Sequence, residues 1–185
     1  MRRISLSVLV SALVLGACGD PNFLNPPTSE NAIISARLWA IQGTPISLPS
    51  AWSVPLRTRI RLDQSPNFDF AFDIDATGQP VLLPRGAFGL LEPTGNPGVL
   101  PTPKEWDEIT LAVLNGYLTS DTIPVSVGDR FYVRSSATGI CFNSSPLYAK
   151  LQIMEIDLED RSVLYRILTN ANCGYKSLEL GLPKK

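Results

Sequence analysis

The chain contains no histidine among its 185 residues. Neither a Ser-His nor a Cys-His catalytic dyad can therefore form. Zinc and haem sites that use histidine ligands are excluded for the same reason. Gly-x-Ser-x-Gly, phosphate-loop and Cys-x-x-Cys motifs are also absent. Since nothing points to carboxylate, lysine or tyrosine catalysis, we expect a protein that is not an enzyme and needs no cofactor.

An excess of positive charge is missing as well. Lys and Arg number 16 against 17 Asp and Glu, so there is no basic stripe to bind nucleic acid. Glycine (13) and proline (16) are frequent, and 44% of the residues are hydrophobic. This composition predicts a folded protein rich in loops rather than a disordered chain.

The N-terminus carries the most specific motif. Arg2 and Arg3 precede an uncharged apolar run at residues 4–15, which leads to Leu15-Gly16-Ala17-Cys18. A short positive segment, an apolar run and small residues, in that order, are typical of a secretory signal. The run is too short to span a bilayer, which requires roughly 20 residues.

Residues 15–18 resemble the lipobox of bacterial lipoproteins. The resemblance implies a signal peptide at residues 1–17, a diacylglyceryl group on the Cys18 thiol, and acylation of the new amino terminus. Two or more acyl chains anchor a protein stably in a membrane. The residue after the cysteine is Gly19 rather than aspartate, which favours the outer membrane over the inner one, facing the periplasm or the cell surface.

Two cysteines remain once Cys18 carries lipid, and we expect Cys141 and Cys173 to form a disulfide in an oxidising compartment. A hairpin centred near residues 159–160 would bring them together. Two separate buried thiols are the alternative.

The predicted domain organisation has three parts. Residues 1–17 are the signal peptide, and residues 18–31 are a lipidated N-terminus with a flexible, proline-containing tether. Residues 32–185 form a single domain, since their number suits one hydrophobic core. Several short strands with turns between them predict an all-β domain, either an antiparallel sandwich or a barrel-like fold.

Residues 56–75 contain the clearest strand pattern, with apolar residues alternating with others on both sides of a turn. A hairpin centred on Ser65 would set Leu62 opposite Phe68 on an apolar face. The same register would set Arg61 opposite Asp69 on a charge-paired outer face. It also pairs Ile60 with Phe70 and Arg57 with Asp73.

Several other elements are expected along the chain. A strand is predicted at residues 34–41, and residues 84–103, rich in proline and glycine, form a candidate functional loop. One short helix is expected near residues 103–115, after a capping box from Thr102 to Glu105. Two further hairpins are predicted, one of 122–127 with 130–135 and one of 148–157 with 162–169.

The strand segments 127–134 and 148–153 resemble those of uncharacterised β-rich envelope lipoproteins. They are also similar to strands of β-rich haem-binding lipoproteins. Those proteins bind haem through histidine, which this chain lacks, so the resemblance implies a fold and no haem site.

A calcium site is one alternative use of the domain. Asp73, Asp75 and Thr77 carry oxygens at alternate positions before Gly78, a spacing that suits Ca²⁺. An EF-hand would need a glutamate where Pro84 stands. The favoured interpretation is a strand end followed by a glycine turn.

Two other groups of residues, one of arginines and one of aromatic residues, could each form a ligand site. Arg57, Arg59 and Arg61 would suit an anion such as a sugar phosphate or lipid A, although an exposed face paired with aspartates is favoured. Aromatic residues would suit sugar stacking, although core positions are favoured. These aromatic residues are Trp39, Trp52, Trp106 and Tyr117.

The leading hypothesis is a membrane-anchored, non-enzymatic lipoprotein with a binding or structural role in the cell envelope. Its expected partners are the membrane and an envelope protein or glycan. A carbohydrate- or calcium-dependent binder is the first alternative. An enzyme with paired catalytic carboxylates is the second.

Overall fold

The structure is a computed structural model that describes residues 24–93, 95–136, 141 and 144–184. Its strands are short, as the turn-rich sequence predicts. In chain order they are β1 (Ala32–Trp39), β2 (Ala51–Ser53), β3 (Thr58–Ile60), β4 (Phe70–Ile74), β5 (Pro80–Pro84), β6 (Gly98–Thr102), β7 (Ile123–Pro124), β8 (Arg130–Arg134), β9 (Tyr148–Asp157) and β10 (Ser162–Asn170).

The strands form two five-stranded antiparallel sheets, which confirms an all-β sandwich. One sheet has the order β1-β10-β9-β8-β6, and the other has the order β3-β2-β4-β5-β7. The edge strands are therefore β1 and β6 in the first sheet and β3 and β7 in the second. Alternate side chains from each sheet fill the space between them.

The main core combines aromatic residues of the second sheet with aliphatic residues of the first. Phe70 and Phe72 on β4 are fully buried, as are Leu151 on β9 and Ile167 on β10. Tyr165 on β10 lies among them, with its ring edge-on to Phe70 at a centroid distance of 6.1 Å. Burial of an apolar side chain of this size stabilises the fold by about 1.5–3 kcal/mol.

The predicted hairpin of residues 148–157 and 162–169 is confirmed as β9 and β10. Its register shifts between Leu164 and Tyr165, where Met154 is an extra residue on β9. The expected disulfide is also present. Cys141 and Cys173 lie outside the open ends of the hairpin with their Cα atoms 5.5 Å apart, within the range that a bridge requires.

The predicted hairpin at residues 56–75 is wrong in its pairing. Strand β2 lies between β3 and β4, so that Ile60 is opposite Ala51 and Phe70 is opposite Trp52. A three-residue strand is too short for its periodicity to be read from sequence.

The predicted charge-paired face of that hairpin is wrong too. Asp69 and Asp73 are buried, and Arg61 forms its ion pair with Asp63 at 2.7 Å instead. The prediction that the aromatic residues of this segment face the core is confirmed, because Phe68 is buried with Phe70 and Phe72. Leu56, expected to be on the apolar face, is 62% exposed because it lies in the turn before β3.

The predicted hairpin of residues 122–127 and 130–135 is also wrong. Strand β7 pairs with β5, whereas β8 pairs with β6 and β9. The turn between them carries the chain from one sheet to the other. Gly128 has a positive φ of 93° in this turn, a conformation that glycine adopts without steric cost.

The helix expected near residues 103–115 is reduced to the 3₁₀ turn Trp106–Glu108. Its capping box joins Glu105 and Glu108, whereas Thr102 ends β6. Carbonyl groups in and after this turn are bound by a side chain from β9. Lys150 Nζ donates to the carbonyl oxygens of Trp106 and Ile109, both at 2.9 Å.

The candidate loop at residues 84–103 is less irregular than predicted. It contains the 3₁₀ turn Arg85–Phe88 and strand β6. Pro101 is accommodated in β6 because this strand lies at the edge of its sheet.

The described part of the predicted tether, residues 24–31, lies against the C-terminal segment. Asn172 Oδ1 accepts hydrogen bonds from the N–H groups of Thr28 and Ser29, at 2.9 and 3.1 Å. The Asn31 side chain donates to the carbonyls of Ser177 and Glu179. These contacts attach residues 24–31 to the domain. Within the described residues, no helix has the length and apolar character to cross a membrane.

Candidate functional site

A groove of about 360 Å³ lies where edge strands β1 and β3 of the two sheets face each other. Residues 34–37 of β1 form one wall, and residues 57–59 form the other. Trp52, which is 1% exposed, forms the floor from the adjacent strand β2. The volume is at the lower end of the range of small-molecule sites.

Three arginines line the groove, and no carboxylate is among its lining residues in the described part of the chain. Arg37 on β1 is held by Glu155 and by the Ser162 hydroxyl, each at 2.7 Å. Arg57 donates a hydrogen bond to the Ser29 hydroxyl. The Arg59 side chain makes no hydrogen bond or ion pair with any residue that the structure describes. Two of the three guanidinium charges therefore have no acidic partner in the described chain.

Arg57 reaches the groove from a strained backbone position. It ends the turn between β2 and β3, where its N–H donates to the Val54 carbonyl at 3.3 Å, and its φ is 51°. A left-handed conformation costs a residue with a side chain roughly 1–2 kcal/mol, and glycine is the usual occupant.

Two buried polar groups of the core, one of them on the groove-lining Trp52, have no partner among the described residues. They are Trp52 Nε1 and the Tyr165 hydroxyl. The two rings pack edge-on, with their centroids 5.7 Å apart, and each residue is 1% exposed. A buried donor without a partner costs about 1–3 kcal/mol. Burial raises the pKa of Tyr165 well above its usual value, and the Arg59 guanidinium opposes that shift.

The arginine cluster expected from sequence is only partly assembled. Arg57 and Arg59 line the groove. Arg61 lines a neighbouring cavity of about 300 Å³, which shares Thr58 and Arg59 with the groove, and it is neutralised by Asp63. Arg37 was not predicted from the sequence to belong to the arginine cluster. Its position on an edge strand depends on the pairing order of the sheets, for which a single sequence holds no signal.

The calcium candidates form a turn instead. Asp75 Oδ1 accepts from the Thr77 N–H, the Thr77 hydroxyl and the Gln79 N–H at 2.6–2.9 Å. These bonds lower the pKa of Asp75, the Thr77 hydroxyl contributing most. Asp73 Oδ1 accepts from the N–H groups of Gln42 and Ile74. Across the described ranges, no three acidic or cysteine side chains are grouped to hold a metal ion.

The aromatic candidates do not form an exposed platform. Trp52, Trp106 and Tyr117 are buried, and Trp39 is half-buried. Trp106 lies against two cations, with Lys150 Nζ at 4.6 Å and the Arg166 guanidinium carbon at 4.2 Å from its ring centroid. These contacts fix Trp106 against β9 and β10, which is a structural arrangement.

One acidic group has an unusual environment, but it lies away from both cavities. Asp69 is 3% exposed, and burial raises its pKa from 3.8 to about 6. Its oxygens accept hydrogen bonds from the N–H groups of Val54 at 2.7 Å and Ser136 at 3.0 Å. Both oxygens are thus engaged by backbone, an arrangement that joins segments rather than activates a substrate.

Of the remaining candidates, Cys18 lies outside the described residues, and Cys141 and Cys173 form the disulfide. Comparison of the chain with protein-family models, curated proteins and solved structures finds no match.

Proposed function

We propose that the protein is an exported, lipid-anchored and non-enzymatic binding protein that takes an anionic ligand in the groove between β1 and β3. The observation that carries this proposal is the lining of the groove. Arg37, Arg57 and Arg59 line it, and none of its described lining residues is a carboxylate. Guanidinium groups bind carboxylates and phosphates through paired hydrogen bonds.

The lining also argues against catalysis in the groove. Ser35 and Thr58 contribute its hydroxyl groups, and among the residues that the structure describes no carboxylate, lysine or cysteine lines it with them. A hydroxyl nucleophile needs a general base within hydrogen-bond reach. Arginine stays protonated at physiological pH, so it supplies charge rather than a base.

Export and anchoring rest on residues 1–18 and agree with the disulfide of Cys141 and Cys173, since disulfides persist in oxidising compartments. Intact-mass measurement of the membrane-extracted protein should give a mature species that begins at Cys18 and carries lipid. Cys18→Ala should abolish that mass. A mature species without lipid that begins elsewhere would contradict the anchor.

The binding proposal has its own test. Full-length protein in non-ionic detergent is titrated calorimetrically with acetate, methyl sulfate and glycerol 3-phosphate, three anions of different shape. At least one should bind, and Arg59→Gln should raise its dissociation constant at least about tenfold, which corresponds to 1.4 kcal/mol. Arg61→Gln is the matched control, because Arg61 lies outside the groove.

Absence of binding by all three anions at about 10 mM, a concentration that detects even millimolar affinity, would refute the proposal. The arginines would then serve only to keep edge strands from pairing with other chains. A carbohydrate- or calcium-dependent site is not favoured, because the aromatic side chains are buried and the Asp75 turn is closed by its own N–H groups.

A further inference from the structure

Strand β1 directs part of its backbone hydrogen-bonding edge into the groove. The Ala40 N–H donates to the Arg161 carbonyl at 2.7 Å, directly after the last residue pair of the ladder that joins β1 to β10. Because antiparallel pairs alternate, the even-numbered residues of β1 exchange hydrogen bonds with β10. The odd-numbered residues therefore direct their N–H and C=O groups away from the sheet, toward the groove side.

The two ends of this outward edge are covered by other segments, and its middle is open. The Asn31 N–H donates to the Gly181 carbonyl at 2.9 Å, and the Trp39 N–H donates to the Pro49 carbonyl at 3.1 Å. Between these ends lie three residues whose outward backbone groups have no hydrogen-bond partner among the described residues, namely Ile33, Ser35 and Arg37. The open stretch is about 13 Å long, at about 3.3 Å per residue.

This open stretch and two arginines without an acidic partner border the same groove. Ser35 lies on the β1 wall, and Arg57 and Arg59 lie on the opposite wall. A chain that adds to β1 as a further strand would enter the groove. Alternate side chains of that strand would point toward the interior of the sandwich, as the half-buried side chains of Ile34 and Ala36 do in β1. Those side chains would meet the wall that carries the two guanidinium groups.

We infer that the groove takes an acidic segment of another polypeptide, which adds as a strand to β1 and presents alternate Asp or Glu side chains to Arg57 and Arg59. This assignment rests on the proposed anion-binding function and names its class of ligand. In strand addition the main-chain hydrogen bonds supply affinity, and alternate side chains supply specificity. Guanidinium groups bind carboxylates through paired hydrogen bonds.

Charge distinguishes an acidic segment from other occupants of the edge. Cationic side chains at an edge strand discourage pairing with other strands, and the arginines of the groove would repel a basic segment. Two copies of this chain paired through β1 would bring two arginine-lined grooves together, which like-charge repulsion opposes. A small anion would leave the outward backbone groups of the open stretch unused. An extended acidic segment satisfies both the backbone groups and the charges.

The experiment is calorimetric titration of the full-length protein in non-ionic detergent with the peptide acetyl-Thr-Glu-Val-Glu-Val-Glu-Thr-amide. The peptide should bind, and its analogue with glutamine at every glutamate should bind at least about tenfold more weakly. Arg59→Gln should weaken binding of the acidic peptide by a similar factor. Arg61→Gln is the matched control, because Asp63 neutralises Arg61, and it should bind as the wild type does.

Two N-methylated peptides test the backbone pairing. Successive residues of a strand direct their N–H groups to opposite sides, so one peptide is methylated at its valines and the other at its glutamates. One of them should lose binding about tenfold or more, and the other should bind as the parent does. Peptides held by their side chains alone would show no such asymmetry.

Ser35→Pro tests the same pairing from the side of the protein. The substitution removes one outward N–H, and proline is tolerated on edge strands, as Pro101 is in β6. It should weaken binding of the acidic peptide about tenfold while the melting temperature stays nearly unchanged. If the variant does not fold, the pair of N-methylated peptides still decides the question.

Amide hydrogen exchange locates the bound peptide. At saturation, exchange of the Ser35 and Arg37 N–H groups should slow at least about tenfold. Unchanged exchange at both residues would overturn the assignment to β1. Protection of the same amides without peptide, in a protein that sediments as a dimer, would assign the edge to a second copy of the chain and also overturn the inference.

The remaining outcomes separate this inference from the proposed function. Binding of a small anion without binding of the acidic peptide overturns the inference and leaves anion binding intact. Equal affinity for the glutamine analogue overturns the acidic segment as the ligand. Equal binding of the two N-methylated peptides overturns the strand addition. Failure of the acidic peptide and of all three small anions overturns both the inference and the proposed function.

Discussion

The carboxylate of Asp69, just before β4, accepts a hydrogen bond of 3.0 Å from the backbone N–H of Ser136, which follows β8 in the opposite sheet. Its second oxygen accepts from the Val54 N–H at 2.7 Å. One buried side chain therefore joins the two layers of the sandwich. Burial makes the charged form of this group unfavourable, even though both N–H groups favour it.

This position predicts a pH dependence of stability. The pKa of Asp69 is about 6 in the folded state against a reference of 3.8, so between these values the folded protein keeps a proton that the unfolded chain loses. The contribution to stability is complete below the reference value and is lost as the pH rises through about 6. A shift of this size corresponds to about 3 kcal/mol, at 1.36 kcal/mol per pH unit.

Asp69→Asn isolates the effect, because asparagine does not titrate. The free energy of unfolding of the wild type minus that of the variant should fall by about 2.4 kcal/mol between pH 4 and pH 7, because part of the total is already lost at pH 4. Urea unfolding at several pH values measures it. Asp63→Asn, which changes an exposed ion pair, should leave the pH profile nearly unchanged. Parallel profiles for Asp69→Asn and the wild type would contradict the assignment.

The disulfide supports a second prediction. Cys141 and Cys173 are 32 residues apart in sequence, and closing a loop of that length stabilises a protein by roughly 3–4 kcal/mol on the chain-entropy model. Cys141→Ser should lower the melting temperature, and adding reductant to the variant should cause no further loss. Two titratable thiols in the folded, non-reduced wild type would show the bridge to be absent.

Phe70 provides a test of the core. It is fully buried, and its ring packs edge-on against Tyr165. Phe70→Ala should lower the free energy of unfolding by about 3–5 kcal/mol, since it removes apolar contacts and leaves a cavity. Leu56→Ala, at a residue that is 62% exposed, should change it by less than about 0.5 kcal/mol. Chemical unfolding of both variants measures the difference, and similar losses in both would contradict the packing.

The fold class could be predicted from the sequence alone, and so could local elements whose strand pattern extends over many residues. Strands β9 and β10 have ten and nine residues, and a short turn joins them, so periodicity and proximity in the chain led to the correct hairpin. The disulfide followed from the compartment and from that hairpin. In each case the information lies within a short stretch of chain.

Pairings between distant segments were not predictable in the same way. Strand β2 has three residues and separates β3 from β4, so the hairpin with the clearest alternation failed. The groove depends on β1 and β3 being the edges of two different sheets, which is a property of the whole topology. Arg37 and Arg57 are 20 residues apart, and no local pattern relates them.

The last prediction concerns the attachment of the N-terminal segment. Asn172 Oδ1 accepts from the N–H groups of Thr28 and Ser29, and Asn172 Nδ2 donates to the Ser29 carbonyl at 2.7 Å. Asn172→Ala would leave these backbone groups without their partner, which costs about 1–3 kcal/mol when they are buried. The loss should be local, because Asn172 follows β10 and does not belong to either sheet.

Amide hydrogen exchange checks this expectation. Exchange at Thr28 and Ser29 should accelerate about tenfold or more in Asn172→Ala, in line with a loss of at least about 1.4 kcal/mol. The amides of β9 and β10 should keep their protection. Asn115→Ala, at an exposed asparagine, is the control and should change neither. Unchanged exchange at Thr28 and Ser29 would contradict the attachment. Equal acceleration throughout the sheets would instead assign Asn172 to the global stability of the sandwich.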